Sequence, residues 1–111
     1  MMEPLLLIKK YILVLAAVGN QSEARAIARQ LVEQRLAACV GILTQQSLYR
    51  WEGKITEDSE YLLTVKTTHE RYEAVRDAVL AMHSYDVPEI MSIDIVEGNA
   101  AYLDWISDSV S

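Results

Sequence analysis

The chain has 111 residues, of which 51% are hydrophobic, and its formal net charge is −6. This length predicts one domain with a substantial apolar core and leaves no room for two. The ten Lys and Arg residues are spread along the chain without a cluster, which argues against a nucleic-acid ligand because phosphate backbones need a concentrated cationic face.

Residues 1–10 are expected to form a short N-terminal extension, and residues 11–111 a single domain. The early apolar run Leu5–Ile8 is shorter than the core of a signal peptide, and its charges follow it; no run in the chain has transmembrane length. The single cysteine, Cys39, excludes an intramolecular disulfide and fits a reducing compartment. We therefore expect a cytoplasmic protein that does not bind a membrane.

The first elements are a strand and an amphipathic helix. Residues Tyr11–Val18 form a continuous apolar run, which is typical of a central strand. Ser22 is the predicted N-cap of the helix that follows, and Arg35 ends that helix. Its apolar residues recur at helical spacing and predict the face that covers a sheet: Ala24, Ile27, Ala28, Leu31 and Val32.

A long hairpin is predicted between Leu36 and Thr68, because both arms are rich in β-branched and aromatic residues. The polar cluster Thr56–Ser59 has turn composition and is the predicted turn, while Gly53 is interpreted as a bulge or bend. Strand alternation puts Tyr49 and Trp51 on one face.

After the hairpin, the sequence predicts a second helix, a fourth strand and a short last helix. Thr68 or His69 opens a second helix, whose apolar stripe is Tyr72, Val75, Val79 and Met82. Pro88 marks a loop. The segment Ile90–Val96 predicts a fourth strand with Ser92 and Asp94 outward. A short last helix is capped by Asn99, and its Tyr102, Trp105 and Ile106 share a face.

This order predicts an α+β fold, a two-layer sandwich with an antiparallel sheet and both main helices on one side. The uncovered side of the sheet would carry apolar residues, namely Leu62 or Leu63, Leu43 or Ile42, and the pair Tyr49 and Trp51. Because this is too much apolar surface for a monomer to expose, we predict self-association.

Four segments carry a family resemblance: LAACV at 36–40, SLYRWEGKI at 47–55, HSYDVPEI at 83–90 and EGNAAYLDW at 97–105. In this order they resemble the CutA family, the divalent-cation tolerance proteins, from about Tyr11 to Trp105. The resemblance implies a ferredoxin-like βαββαβ domain with a long central hairpin and a short C-terminal helix, assembled as a homotrimer. It also implies links to copper and other divalent metals without a settled enzymatic activity.

The candidate metal ligands are Cys39 and His83. A thiolate suits Cu(I) and Zn, but a lone cysteine in an apolar strand is more often a small buried hydrophobe; the resemblance associates metal with a cysteine at this position. His83 is accompanied by the carboxylates Asp86 and Glu89, although it also suits the C-terminus of a helix. In the family that the chain resembles, the residue after this His is commonly Pro, whereas this chain has Ser84. The resemblance therefore does not fix the geometry of the loop.

The resemblance further places Trp51, Lys66, Tyr85 and Glu89 around a cleft between subunits. Lys66 is expected near the sheet end beside which the loop from Tyr85 to Glu89 runs. Lys66 and Glu89 would either hold a small anionic or zwitterionic ligand or form an ordinary ion pair at a trimer seam.

The leading hypothesis is a trimer that binds a divalent metal, copper first, in tolerance or homeostasis, with no obligatory cofactor. The alternative is a trimeric signalling or scaffold module, similar to the PII-type regulators in architecture, that binds a metabolite or partner at the cleft. An enzyme is not expected, because the sequence has no Gly-rich phosphate loop, Ser/His/Asp set or paired-carboxylate motif.

Overall fold

A computed structural model of the chain describes residues 10–111. Its elements, in chain order, are β1 (Tyr11–Val18), α1 (Gln21–Glu33), β2 (Cys39–Trp51), β3 (Lys54–Thr68), a 3₁₀ turn (His69–Arg71), α2 (Tyr72–Met82), β4 (Ile90–Asp94) and α3 (Ala100–Ser109). The predicted N-terminal extension lies outside the described residues, apart from Lys10.

The four strands form one antiparallel sheet in the order β2-β3-β1-β4. This is the predicted ferredoxin-like α+β sandwich with a long hairpin and a terminal helix. The bounds predicted for β1 are confirmed, because an unbroken apolar run between Lys10 and Gly19 leaves little choice of register or length.

The core lies between the sheet and helices α1 and α2. Alternate residues of β1 and β3 point into it, and each helix contributes its apolar stripe. The fully buried members are Ile12, Val14, Ala16, Val18, Ala24, Ile27, Leu31, Leu63, Val65, Val75 and Val79. Burying a side chain such as Ile27 or Leu63 stabilises the fold by roughly 1.5–3 kcal/mol each.

The hairpin turn is not at Thr56–Ser59, and that prediction is wrong. The chain reverses at Glu52 and Gly53, whose φ angles are 50° and 77°, and Trp51 pairs directly with Lys54. Two positive φ angles in a two-residue loop are the requirement of a type I′ turn, which glycine meets without strain. The polar cluster belongs to β3, where its composition reflects exposure to solvent on a protruding hairpin.

The helix boundaries also correct one prediction. Asn20, not Ser22, caps α1: its Oδ1 accepts the backbone N–H of Glu23 at 2.8 Å, while the Ser22 hydroxyl donates to the same oxygen at 2.9 Å. Asn99 caps α3 as predicted, accepting the backbone N–H of Ala101 at 3.1 Å. Asn20 is preferred because its position keeps extended backbone angles before the first helical turn.

Three further predictions, on the helix stripes, the end of β4 and the apolar face of α3, are confirmed only in part. One element is shorter, and several residues lie nearer the edge of the core, than the sequence pattern suggests. Val32 and Met82 lie at the margins of their stripes and stay exposed. Strand β4 ends at Asp94 instead of Val96. Tyr102 and Trp105 do lie side by side, with ring centroids 5.4 Å apart, but both remain half exposed while Ile106 is buried.

The sheet face opposite α1 and α2, called the open sheet face here, carries the other half of the strand residues. The register pairs Leu43 with Leu62, so these two occupy it, whereas Leu63 faces the core and its partner Ile42 packs against that core. Its other apolar members are Leu13, Leu15, Tyr49, Trp51, Met91 and Ile93. Helix α3 reaches one end of this face, where the hydroxyls of Tyr11 and Ser107 lie 3.1 Å apart.

We expect Asn20→Ala to lower the free energy of unfolding by about 1 kcal/mol, because the first turn of α1 loses its side-chain acceptor. Chemical denaturation monitored by circular dichroism measures this change. The matched control is Ser22→Ala, which leaves that acceptor in place and should cost less. An equal or larger loss in the Ser22 variant would contradict the assignment of the cap.

Candidate functional site

A pocket of about 520 Å³ opens between the β2–β3 hairpin and the loop that joins α2 to β4. Its walls combine three aromatic rings with four carboxylates, and none of the described residues that line it is Lys or Arg. The lining residues are Ala17, Tyr49, Trp51, Asp58, Glu60, Ser84, Tyr85, Asp86, Val87 and Glu89. The volume lies in the range of small-molecule sites.

Tyr85 joins the loop to the sheet at the floor of this pocket. Its hydroxyl donates to Glu60 Oε2 at 3.0 Å, and Glu60 is 7% exposed. The ring lies against Gly19, where an added Cβ would come within 2.8 Å of the hydroxyl. Glycine at this position therefore makes room for the phenol.

The two phenols of the pocket remain protonated at neutral pH. Burial, the hydrogen bond to Glu60 and the negative charge of that carboxylate raise the pKa of Tyr85 to about 12. The Tyr49 hydroxyl donates to Asp58 Oδ2, and this hydrogen bond raises the pKa of Tyr49 above its usual value. The negative charge of the pocket consequently comes from its carboxylates alone.

His83 holds the start of the loop and has no ring nitrogen left for a metal. Its fully buried side chain places Nε2 2.6 Å from the backbone oxygen of Ala17, and Nδ1 accepts the backbone N–H of Tyr85 at 3.1 Å. Because Nδ1 accepts, the proton of the neutral ring is on Nε2, which donates to the carbonyl. His83 does occupy the C-cap position of α2, but it bonds to β1 and not to its own helix. The geometry therefore does not support its predicted role as a metal ligand.

The structure does not bring the two candidate metal ligands together. Cys39 begins β2, is partly exposed, and pairs with Lys66, which in turn pairs with Leu13. His83 contacts β1 at Ala17, four residues further along, or about 13 Å away. Within residues 10–111, no cluster of three His, Cys, Asp or Glu side chains is arranged to hold a metal ion.

Lys66 lies away from the pocket within one chain. Its ammonium donates to Thr64 Oγ1 at 3.1 Å, in space left by Gly41, where a Cβ would lie 2.5 Å from that oxygen. Tyr85 meets β3 at Glu60, six residues or about 20 Å from Lys66. The expectation that the loop runs beside Lys66 is wrong for the single chain, because the loop crosses the other end of β1. A cleft that combines Lys66 with Glu89 of another subunit stays a prediction.

Trp51, Tyr85 and Glu89 line one pocket of the single chain, whereas the resemblance placed them with Lys66 around a cleft between subunits, which stays a prediction. The sequence reasoning missed Asp58 and Glu60 as members of this pocket. The cause is the misplaced turn. With the reversal at Glu52 and Gly53, alternation along β3 puts Asp58 and Glu60 on the same face as Tyr49 and Trp51. The signal that could have found them is Gly53, since glycine is favoured at the second position of a two-residue hairpin loop.

None of the helices in the described part of the chain is both long enough and apolar enough to cross a membrane.

Comparison with known proteins gives a consistent result. Residues 12–109 match the family of the CutA1 divalent ion tolerance protein. The chain is 48% identical over 97 residues to the divalent-cation tolerance protein CutA of Thermus thermophilus, covering 86% of this chain and 94% of that protein. It is 44% identical over 96 residues to the human protein CutA, covering 83% of this chain but only 54% of the human one.

The structure also resembles solved ones. It superposes on the periplasmic divalent cation tolerance protein CutA from Archaeoglobus fulgidus with a TM-score of 0.89 and 42% identity, covering 91% of this chain and 99% of that one.

We expect the raised pKa of Tyr85 to make the protein less stable as the pH rises from about 10 to about 12. The folded state holds this proton more tightly than the unfolded chain, so the stabilisation is complete below pH 10 and is lost as the phenol ionises. Chemical denaturation at a series of alkaline pH values measures how steeply the free energy of unfolding falls with pH. This slope should be smaller in Tyr85→Phe. The control Tyr72→Phe, which alters a ring outside the pocket, should keep the slope of the wild type; an unchanged slope in the Tyr85 variant would contradict the assignment.

Proposed function

Because the chain belongs to the CutA1 divalent ion tolerance protein family, we propose that it acts in divalent-cation tolerance or homeostasis as a homotrimer that binds a divalent cation, with copper as the first candidate. The proposal has two parts, which the structure of the single chain supports to different degrees. The assembly is supported by the open sheet face. The metal is supported by the chemistry of Cys39 and by the family.

The open sheet face is the observation that carries the proposal. Leu43, Met91 and Ile93 are 53%, 48% and 50% exposed on it, and Tyr49 and Trp51 lie on the same face further along β2. Several large apolar side chains exposed on one sheet face are typical of a protein–protein interface. We infer that further copies of the chain cover it, and the trimeric number comes from the family resemblance.

Cys39 is the residue that we propose as a copper ligand. It is the only thiol of the chain, it is partly exposed, and its strand position puts it on the open sheet face. A single thiolate is not a complete site, and residues 10–111 of one chain hold no three-ligand cluster. We therefore propose that the remaining ligands come from other copies in the trimer or from solvent.

We propose that the protein is not an enzyme and that it is cytoplasmic. The first statement is supported by the sequence, which has no recognisable nucleophile and base set. The second is supported by the use of one cysteine, which suits a reducing compartment.

A second candidate function, a trimeric signalling or scaffold module, is favoured by the pocket. A cavity of about 520 Å³ with aromatic and charged walls can hold a metabolite, and assembly would decide whether Lys66 of another copy lies near Glu89. Metabolite binding that survives removal of all metal would favour this function over the first.

We expect Leu43→Lys to dissociate the assembly, because a charge would be placed in the middle of the buried face. Light scattering over a range of protein concentrations should give a trimer for the wild type and a smaller species for the variant. Leu80→Lys is the matched control, since Leu80 is 44% exposed on α2, on the other side of the fold. A wild-type chain that stays monomeric at every concentration would refute the assembly.

We expect Cys39→Ser to weaken binding of Cu(I) by at least tenfold, because a hydroxyl is a poor ligand for this ion. The measurement is an anaerobic titration of reduced, chelator-stripped protein in competition with a Cu(I) indicator. His83→Gln, verified to keep the wild-type assembly, should bind as the wild type does, because both ring nitrogens are already hydrogen-bonded. Equal affinity in the Cys39 variant would exclude this thiol from the site.

A further inference from the structure

We propose that His83 is a proton-operated switch, which releases the start of the loop between α2 and β4 from the sheet when the protein is acidified. The switch uses the His83 ring, the backbone amide of Tyr85 and the carboxylate of Glu23. Because the His83 side chain is fully buried within one chain, its contacts are complete without another copy. The proposal is independent of metal binding and of the number of subunits.

The neutral ring of His83 joins the loop to β1. Nε2 donates to the carbonyl oxygen of Ala17 at 2.6 Å, and Nδ1 accepts the backbone N–H of Tyr85 at 3.1 Å. The second bond requires the neutral ring, because Nδ1 accepts only while it carries no hydrogen. A second proton on the ring therefore turns this acceptor into a donor and breaks the bond to Tyr85.

Glu23, in the first turn of α1, lies where it can accept the new N–H. Its Oε2 is 3.9 Å from Nδ1 of His83, and its side chain is mostly buried. The same oxygen accepts from Ser84 over long distances, 3.5 Å from the backbone nitrogen and 3.3 Å from the hydroxyl. A hydrogen bond between a protonated ring and a carboxylate is stronger than such neutral contacts, so protonation favours a shift of Glu23 towards the ring.

The other groups packed against the ring are uncharged. From β1 the ring meets the carbonyl of Ala17, and from the loop it meets the ring of Tyr85, with centroids 4.8 Å apart. Glu60 of β3 is connected to it only through the Tyr85 hydroxyl. Within residues 10–111, the ion-pair contact of His83 is with Glu23. Protonation thus exchanges a neutral bond to the loop for a charged bond to α1.

The loop loses the anchor at its start when this exchange occurs. Tyr85 stays attached through its hydroxyl to Glu60 and through its ring to Gly19, whereas its backbone amide loses Nδ1 of His83 and Ser84 loses Glu23. Imidazoles ordinarily gain their second proton between about pH 8 and pH 5. We therefore expect acidification across this range to loosen the start of the loop and to leave the helices and the sheet folded.

The test follows the ring and the Tyr85 amide by NMR of the whole chain. The chain has two histidines, and His69 lies in the 3₁₀ turn at the other end of α2, so His69→Gln provides a host in which His83 is the only imidazole. Two-bond ¹H–¹⁵N correlations report the tautomer and the protonation of the ring between about pH 8 and pH 5. Hydrogen exchange, corrected for its intrinsic dependence on pH, reports the protection of the Tyr85 amide.

We expect the neutral ring to carry its hydrogen on Nε2 at the upper end of this range. When the ring is protonated, the protection of the Tyr85 amide should fall about tenfold, since this amide loses its hydrogen bond. Amides in the centre of β1 and β3 should keep their protection over the same range.

Two variants of this host separate the roles of the ring and the carboxylate. His83→Gln keeps a donor for Ala17 and an acceptor for Tyr85 but takes no proton, so the protection of the Tyr85 amide should no longer depend on pH. Glu23→Gln removes the charge that stabilises the protonated ring, so the loss of protection should move to lower pH. The matched control is Glu33→Gln, which removes the same charge from the other end of α1, where Glu33 pairs with Arg29 at 3.7 Å.

Several results would overturn the proposal. A ring that stays neutral down to about pH 5, or a Tyr85 amide that keeps its protection after the ring is protonated, would mean that no such switch operates. The same loss of protection in His83→Gln would assign it to another group, such as Glu60. Equal transitions in Glu23→Gln and Glu33→Gln would exclude Glu23 as the acceptor, and loss of protection throughout the sheet would indicate unfolding in place of a local release.

Discussion

The register of the β2–β3 hairpin is the constraint on which the rest of this structure depends. The two-residue turn at Glu52 and Gly53 sets it, and 13 rungs follow without interruption, from Trp51 opposite Lys54 to Cys39 opposite Lys66. Because side chains alternate, a shift by one residue would exchange the core for the open sheet face along the whole ribbon. The same register places Glu60 on the side of Tyr49 and Trp51, and so creates the acidic wall of the pocket.

The loop after α2 is the second determinant, because it closes the pocket against this ribbon. His83 hydrogen-bonds to the carbonyl of Ala17, and Tyr85 hydrogen-bonds to Glu60. One contact is to β1 and the other is to β3, so the loop is fixed to two adjacent strands. The ring of His83 also lies against that of Tyr85, with centroids 4.8 Å apart. A histidine that resembles a metal ligand in the sequence is, in the fold, the residue that positions a neighbouring phenol.

The family and the geometry address different parts of the function. Membership in the divalent ion tolerance family supports the proposal of a metal at Cys39. Residues 10–111 of one chain, however, hold no cluster of three metal-ligating side chains. The pocket between the hairpin and the loop is instead lined by rings and carboxylates, and it lies at the opposite end of the sheet from Cys39. The open sheet face connects the two ends, so an assembly that covers this face would bring additional side chains to both.

The sequence by itself determined the elements whose signal is local. Strand β1 and the apolar stripes of α1 and α2 were predictable because each follows from the spacing of nearby apolar residues. The order of strands and helices along the chain was then sufficient to predict the α+β sandwich. The apolar character of the open sheet face also followed from alternation, although not which of Leu62 and Leu63 belongs to it. Only the tertiary structure decided which residues line the pocket and which hydrogen bonds hold the loop beside it. The bond of His83 to Ala17 spans 66 residues and that of Tyr85 to Glu60 spans 25, and such contacts depend on strand register and on where a loop crosses the sheet, which no local pattern specifies.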